Sequence, residues 1–245
     1  MIYNIFGIKF FDINFNQFIK LKQNGLIVFP AAPALCDISK NKIYYQSLKN
    51  ADMALFDSGY LVLLLRFLKG LNVSKFSGYK FLKFFFKHIK NKKMFTIETD
   101  KKNAMINKSF LNKFKIQTKQ FQYIAPFYKR NKSIEDTTLL KILNKKKPKI
   151  ILINLGGGIQ EVLGNYLKNN LNYSPLIICT GAAISFFTRQ QAPINSLIDN
   201  LYLGWLIRCI FKPKQFIPRY LNSFRLIFKI AGTNIQKKEI HTYKN

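Results

Sequence analysis

Short apolar runs rich in β-branched residues recur along the chain, separated by longer stretches with helical spacing. Residues 26–29 (Leu-Ile-Val-Phe) read as a buried strand stopped by Pro30 and Pro33. Residues 53–56, 94–97 and 120–124 read as further strands, and residues 1–18 as one or two strands with a helix starting near Asn16. Helical patterns occupy residues 36–50, 59–68, 81–89, 101–115 and 137–144. The run 150–155 gives way to Gly156-Gly157-Gly158, and residues 176–179 to Thr180-Gly181, two strand–loop–helix units. Strands alternating with helices predict an α/β fold with a mostly parallel, Rossmann-like sheet flanked by helices. Residues 131–136 are the expected exposed loop.

Near the C-terminus the pattern changes. For a helix beginning near Pro218, Tyr220, Phe224, Ile227, Phe228 and Ala231 form one apolar stripe with Arg225 and Lys229 opposite, although Leu226 and Ile230 interrupt the polar side. From Lys212 onward there are eight Lys or Arg and one Glu. Residues 1–211 are therefore expected to form the α/β part, as one domain or two lobes. Residues 212–245 are expected to form a basic amphipathic helical appendage suited to an anionic membrane surface. Packing of this helix on the domain is the alternative.

Composition narrows the class. At 245 residues and 48% apolar content the chain can bury a substantial core and is not a disordered protein. The net charge is +29, carried by 34 lysines and six arginines against 11 acidic residues. The Lys, Asn and Ile skew fits an AT-rich coding sequence, so part of this charge carries no function. The remainder attracts anionic lipid, nucleic acid or nucleotide phosphates. A basic RNA-binding protein is an alternative, but no RNA-binding signature is present and the lysines are spread. Cys36, Cys179 and Cys209 are scattered without a CxxC pattern, as in a reduced cytosolic protein. His88 and His241 are isolated, so neither a metal cluster nor a cofactor is expected. No signal peptide is evident, and no apolar run reaches the ~18 residues of a spanning helix.

Three segments carry candidate chemistry. Asp57 is a scarce carboxylate between a strand and an apolar helix. It is either a general base at the mouth of the sheet or, with Ser58, a cap for the helix that follows. Residues 154–161 place Gly156 and Gly157 ahead of Gln160 and Glu161 at a helix start, where free N–H groups favour an anion. The loop lacks Walker and dinucleotide spacing, and a plain tight turn is its other reading. Finally, Arg208, Arg219 and Arg225, half of the arginines, fall within eighteen residues, a clustering suited to phosphate.

Ordered along the chain are Ala51-Asp52, Asp57-Ser58-Gly59, Ser77-Gly78, the loop with Gln160-Glu161, residues 181–186, Ala192-Pro193, Gly204-Trp205-Leu206-Ile207-Arg208 and Arg219-Tyr220-Leu221. As a set, over about residues 20–225, they resemble the motifs of the WecG/TagA/CpsF glycosyltransferases (glycosyltransferase family 26). The resemblance implies an α/β enzyme that moves a HexNAc or hexose from a UDP-sugar to a polyprenyl-diphosphate-linked saccharide. It implies inversion without a required metal, in cell-surface polysaccharide biosynthesis on the cytoplasmic face of the membrane. Asp57 matches the proposed base. Arg208, Arg219 or Arg225 would offset charge on the leaving UDP, and Gln160 would contact the donor. Gly59, Gly78, Gly156, Gly157, Glu161 and Ser185 are the other expected substrate-binding positions. The expected partners are the UDP-sugar, the lipid-linked acceptor and the anionic membrane surface; homo-oligomerisation is open, and no specific nucleic acid is expected.

The chain departs from the family pattern at several points. Pro30-Ala31-Ala32-Pro33 stands where the family has Thr-x-Asn, Gly158-Ile159 replaces Pro-Lys, Ser185 replaces an Asp, and Ser58 separates Asp57 from Gly59. These changes put the usual donor in question and leave an inactive sugar-nucleotide-binding scaffold as an alternative.

Overall fold

The apolar runs form the central strands of a nine-stranded sheet, with a polar strand at its edge, in a computed structural model that describes residues 1–21, 24–118, 120–181, 183–191 and 196–240. The strands are β1 (Ile2–Ile5), β2 (Ile8–Phe11), β3 (Gly25–Val28), β4 (Met53–Leu55), β5 (Phe95–Glu98), β6 (Gln122–Ile124), β7 (Ile150–Ile153), β8 (Leu176–Cys179) and the polar edge strand β9 (Gln236–Lys238). One sheet holds them all in the order β6-β5-β7-β8-β3-β4-β2-β1-β9. Every pairing is parallel except those that β1 makes with β2 and β9. All four residues of β5, β7 and β8 are buried, as a parallel strand covered on both faces requires. The β1–β2 hairpin turns through Phe6 and Gly7, both at positive φ (55° and 74°), the geometry a two-residue hairpin loop needs.

The helices are α1 (Phe15–Leu21), α2 (Ala32–Cys36), α3 (Lys42–Lys49), α4 (Gly59–Lys69), α5 (Gly78–His88), α6 (Lys101–Asn112), α7 (Thr137–Lys146), α8 (Gln160–Asn170), α9 (Ala183–Phe187), α10 (Ser196–Asn200), α11 (Gly204–Phe211), α12 (Pro213–Ser223) and α13 (Arg225–Ala231). One face of the sheet is covered by α2, α3, α4, α7, α8 and α13. The other is covered by α1, α5, α6 and α9 around a phenylalanine cluster in which Phe81 meets Phe18 at 4.9 Å and Phe29 and Phe85 at 5.1 Å. After β3 the chain turns to the first face, into α2. After its neighbour β8 it turns to the second, into α9. This divergence opens a crevice beyond the carboxyl ends of adjacent parallel strands, where ligands of open α/β sheets bind.

The C-terminal segment differs from expectation. Leu226 and Ile230 are fully buried on the first face, whereas Phe224 and Phe228 are exposed. The helix starts at Pro213 rather than near Pro218 and is interrupted only at Phe224, whose backbone stays helical. Ser223, Leu226 and Ile230 share one face across the junction, and that face, not the expected stripe, meets the domain. Strand β9 then extends the sheet beside β1. Residues 225–238 are thus integral to the fold, not a separate appendage. The loop 131–136 is only partly exposed. Ile134 and Asp136 are buried, and Asp136 caps α7 through the Leu139 amide while accepting the hydroxyls of Tyr123 and Tyr128. Among the described residues no helix is long and apolar enough to cross a membrane.

Candidate active site

Two helices begin beside Asp57. Ser58 caps α4, its hydroxyl accepting the Leu61 amide at 3.3 Å, so the capping role falls to Ser58. Asp57 Oδ1 instead accepts the amide of Gly78, the first residue of α5, at 2.8 Å. Ser77 caps α5 by accepting the Lys80 amide. The carboxylate therefore lies at the positive end of a helix dipole. Burial nevertheless pushes its pKa above the ordinary aspartate value. The Gly78 amide, Arg208 and Lys75 oppose that rise, and Asp199 adds to it.

Asp57 lines a cleft at the carboxyl ends of β3, β4 and β8, walled by Ala31, Ala32 and Pro33 on one side and by α11 and α12 on the other. Arg208 enters it from α11 with its guanidinium 4.9 Å from the centre of the Phe186 ring, and Tyr220 reaches it from α12. Three buried polar atoms on residues lining the cleft have no hydrogen-bond partner among the described residues: Thr180 Oγ1, Tyr60 Oη and Arg208 Nε. Unpaired atoms occur elsewhere too, on Asn4 and Tyr173 among others, so these three are candidate ligand contacts of the cleft and not its mark.

A buried ion pair closes one end of the cleft. Lys75 Nζ lies 2.6 Å from Asp199 Oδ1 and also donates to the Asp199 carbonyl, while the Ser77 hydroxyl donates to Asp199 Oδ2 at 2.7 Å. The sequence reading missed both charged residues. A signal was available for Asp199, one of 11 acidic residues, lying just ahead of the arginine cluster.

The residues expected from sequence separate into those at the cleft and those away from it. Gly59 and Gly78 have structural reasons to be glycine. A Cβ on Gly59 would come within 2.8 Å of Tyr202 Cδ1, and one on Gly78 within 3.1 Å of Thr180. Gln160 and Glu161 are buried behind the glycine loop. Gln160 Oε1 accepts the Gly181 amide and its Nε2 donates to Glu161 Oε1 and the Cys179 carbonyl. Glu161 also accepts the Gly158 amide at 2.7 Å, and burial pushes its pKa up. Their polar atoms tie the loop to the β8–α9 turn, and the structure does not bring them into the cleft. Gly156 and Gly157 are exposed with open space around them, and Ser185 is half-buried in α9; none of the three lines the cleft. Arg219 is exposed on α12, over the Phe216 ring, with Arg208 and Arg130 as charged neighbours. Arg225 starts α13 near Cys36, off the cleft. Ala192-Pro193 and His241 lie outside the described residues. Among the described residues no three His, Cys, Asp or Glu side chains converge as metal ligands.

No curated protein matches the sequence. A family model, the glycosyl transferase WecG/TagA/CpsF family, matches residues 3–240, nearly the full length of sheet and helices just described. The match runs through the Asp57–Gly78 contact, the glycine loop and the α11–α12 arginines alike, and the chain belongs to the glycosyl transferase WecG/TagA/CpsF family.

Proposed function

We propose that this protein is an inverting, metal-independent glycosyltransferase that moves a HexNAc or hexose from a UDP-sugar to a polyprenyl-diphosphate-linked saccharide in cell-surface polysaccharide biosynthesis. The observation that carries the reading is the pairing of a carboxylate and a guanidinium in one cleft, Asp57 and Arg208. Asp57 Oδ1 is held by the Gly78 amide, which leaves the second oxygen to take the proton of the acceptor hydroxyl. The hydroxyl oxygen bonds to the anomeric carbon as the bond from that carbon to the UDP oxygen breaks. The departing electron pair goes to the diphosphate, whose charge Arg208 offsets, with Arg219 at the rim. Attack and departure on opposite faces invert the centre. Ala31, Ala32 and Pro33 make the donor wall apolar, so the sugar is selected by shape more than by hydrogen bonds on that side.

A membrane-facing surface accompanies the site. Most of the exposed large apolar side chains fall on α10 to α13, among them Leu197, Leu201, Ile210, Leu221, Phe224 and Phe228. Lys212, Lys214 and Arg225 lie among them. An apolar surface of this kind beside cations fits an anionic bilayer and would hold the cleft at its lipid-linked acceptor on the inner face of the cell membrane.

The test is a transfer assay with a panel of UDP-sugars and a polyprenyl-diphosphate-GlcNAc analogue, with and without EDTA. Product that survives EDTA is expected. UDP binding without transfer from any donor would favour the inactive scaffold, and neither binding nor product would end the nucleotide-sugar reading.

A further inference from the structure

Helices α10 to α12 form a layer with little apolar anchorage. No side chain of α11 is buried, and α12 buries only Ser223. Yet this layer brings Arg208 to the cleft that holds Asp57. Helix α12 leans on α2, where the Cys36 thiol donates to the Asn222 carbonyl, and Ile198 and Tyr202 touch the core, but the strongest tie of residues 199–208 is polar and specific. Asp199 engages Lys75 and Ser77 through both carboxylate oxygens, and Lys75 also caps the short α10 by donating to the Asp199 carbonyl. Both ionic side chains are about nine-tenths buried. Three residues on, Tyr202 sits at φ 63°, a left-handed conformation that is strained for a bulky residue. It is held there with its ring 5.4 Å from Lys75 Nζ and its side chain filling the space over Gly59.

We propose that the Lys75–Asp199 ion pair is a latch that docks residues 199–208 on the cleft and so sets Arg208 against Asp57. Both are positioning residues. The proposal rests on the glycosyltransferase reading only for what the docked arginine does. A buried pair, unlike an apolar core, is lost as a unit: removing either partner strands a buried charge and releases the layer.

The chain has a single tryptophan, Trp205, which lies on the latched segment and lines the cleft beside Tyr220, 5.9 Å between ring centres. Its fluorescence reports the position of the layer without any need for catalysis. In Asp199→Asn and Lys75→Met, Trp205 emission should shift to the red and acrylamide quenching should rise. If transfer is measurable, kcat should fall by about 10²-fold through misplacement of Arg208 while KM for the donor moves less. Lys75→Arg, which keeps the charge pair, should restore the wild-type emission and most of the turnover. Unchanged Trp205 emission and quenching in Asp199→Asn would overturn the proposal. So would loss of the whole circular dichroism signal in both single variants, which would make the pair a core brace instead of a latch. A wild-type protein that transfers no sugar would sink the catalytic reading and leave the latch to be decided by Trp205 alone.

Discussion

Asp57 accepts its one backbone hydrogen bond from Gly78, twenty-one residues away at the start of α5, although α4 begins only two residues after it. The neighbouring helix is capped by Ser58, so the carboxylate has no structural duty in α4. Asp57→Asn keeps an acceptor for the Gly78 amide and removes only the base. Turnover should fall by about 10²–10⁴-fold with UDP affinity retained, measured by product formation and by calorimetric titration of UDP. Near-normal turnover would move the base elsewhere.

The same substitution has a stability consequence of opposite sign. Burial raises the folded-state pKa of Asp57 above its unfolded value. The folded protein therefore holds that proton more tightly. The favourable contribution is full below the unfolded pKa and is lost as pH rises through the folded one. Above the folded pKa, burial makes the ionised carboxylate a cost to the folded state. Asp57→Asn should raise Tm at pH 7, and the gap should close as the solution is acidified. A lower Tm at pH 7 would mean that the Gly78 amide and Arg208 outweigh burial.

Arg208 should control the acid limb of the pH–rate profile. Its charge lowers the Asp57 pKa, so Arg208→Ala should move that limb to higher pH as well as weakening UDP binding. Arg208→Lys keeps the charge but loses the guanidinium fork over Phe186, so it should shift the limb less than alanine does yet still lose turnover. An acid limb unmoved in Arg208→Ala would separate the two residues functionally.

Gly59 separates site geometry from stability. It opens α4, at a first-turn position where glycine carries little of the penalty it has in a helix interior. Its Cβ would overlap Tyr202, which stands on the thinly anchored α10–α11 layer. Gly59→Ala should displace that layer and lower transfer with only a small loss of thermal stability. A large drop in Tm would show that Tyr202 cannot give way.

Much of this arrangement was legible in the sequence where the signal is local. Strand β8 coincides with residues 176–179 because a doubly covered parallel strand must be apolar throughout. Asp57 stood out because carboxylates are scarce in this chain. What could not be read locally was partnership. Lys75 and Asp199 are 124 residues apart and look like ordinary surface charges until the fold joins them. Gln160 and Glu161 do lie at a helix start as expected, but the side from which their hydrogen bonds are met depends on the β8–α9 turn. The C-terminal stripe inverted because the segment carries apolar residues on two faces, and which face meets the core is a tertiary choice: Leu226 and Ile230 pack on the domain while Phe224 and Phe228 stay exposed.

That inversion decides how membrane association should be tested. Truncation after Lys212 would remove Leu226, Ile230 and β9 from the fold, so lost vesicle binding would report unfolding. Leu226→Ala alone should cost about 2–5 kcal/mol in a denaturant titration. Phe228 and Ile210, 80% and 70% exposed, sit on the opposite side of the question. Phe228→Ser combined with Ile210→Ser should leave Tm near wild type and reduce sedimentation with phosphatidylglycerol vesicles, because apolar area available to the bilayer is lost while the core is intact. Added salt should weaken the residual binding further, since Lys212, Lys214 and Arg225 supply a screened attraction. Full vesicle binding by the double variant at low and high salt would rule this face out as the docking surface and leave the exposed apolar side chains of α10 to α13 to another partner.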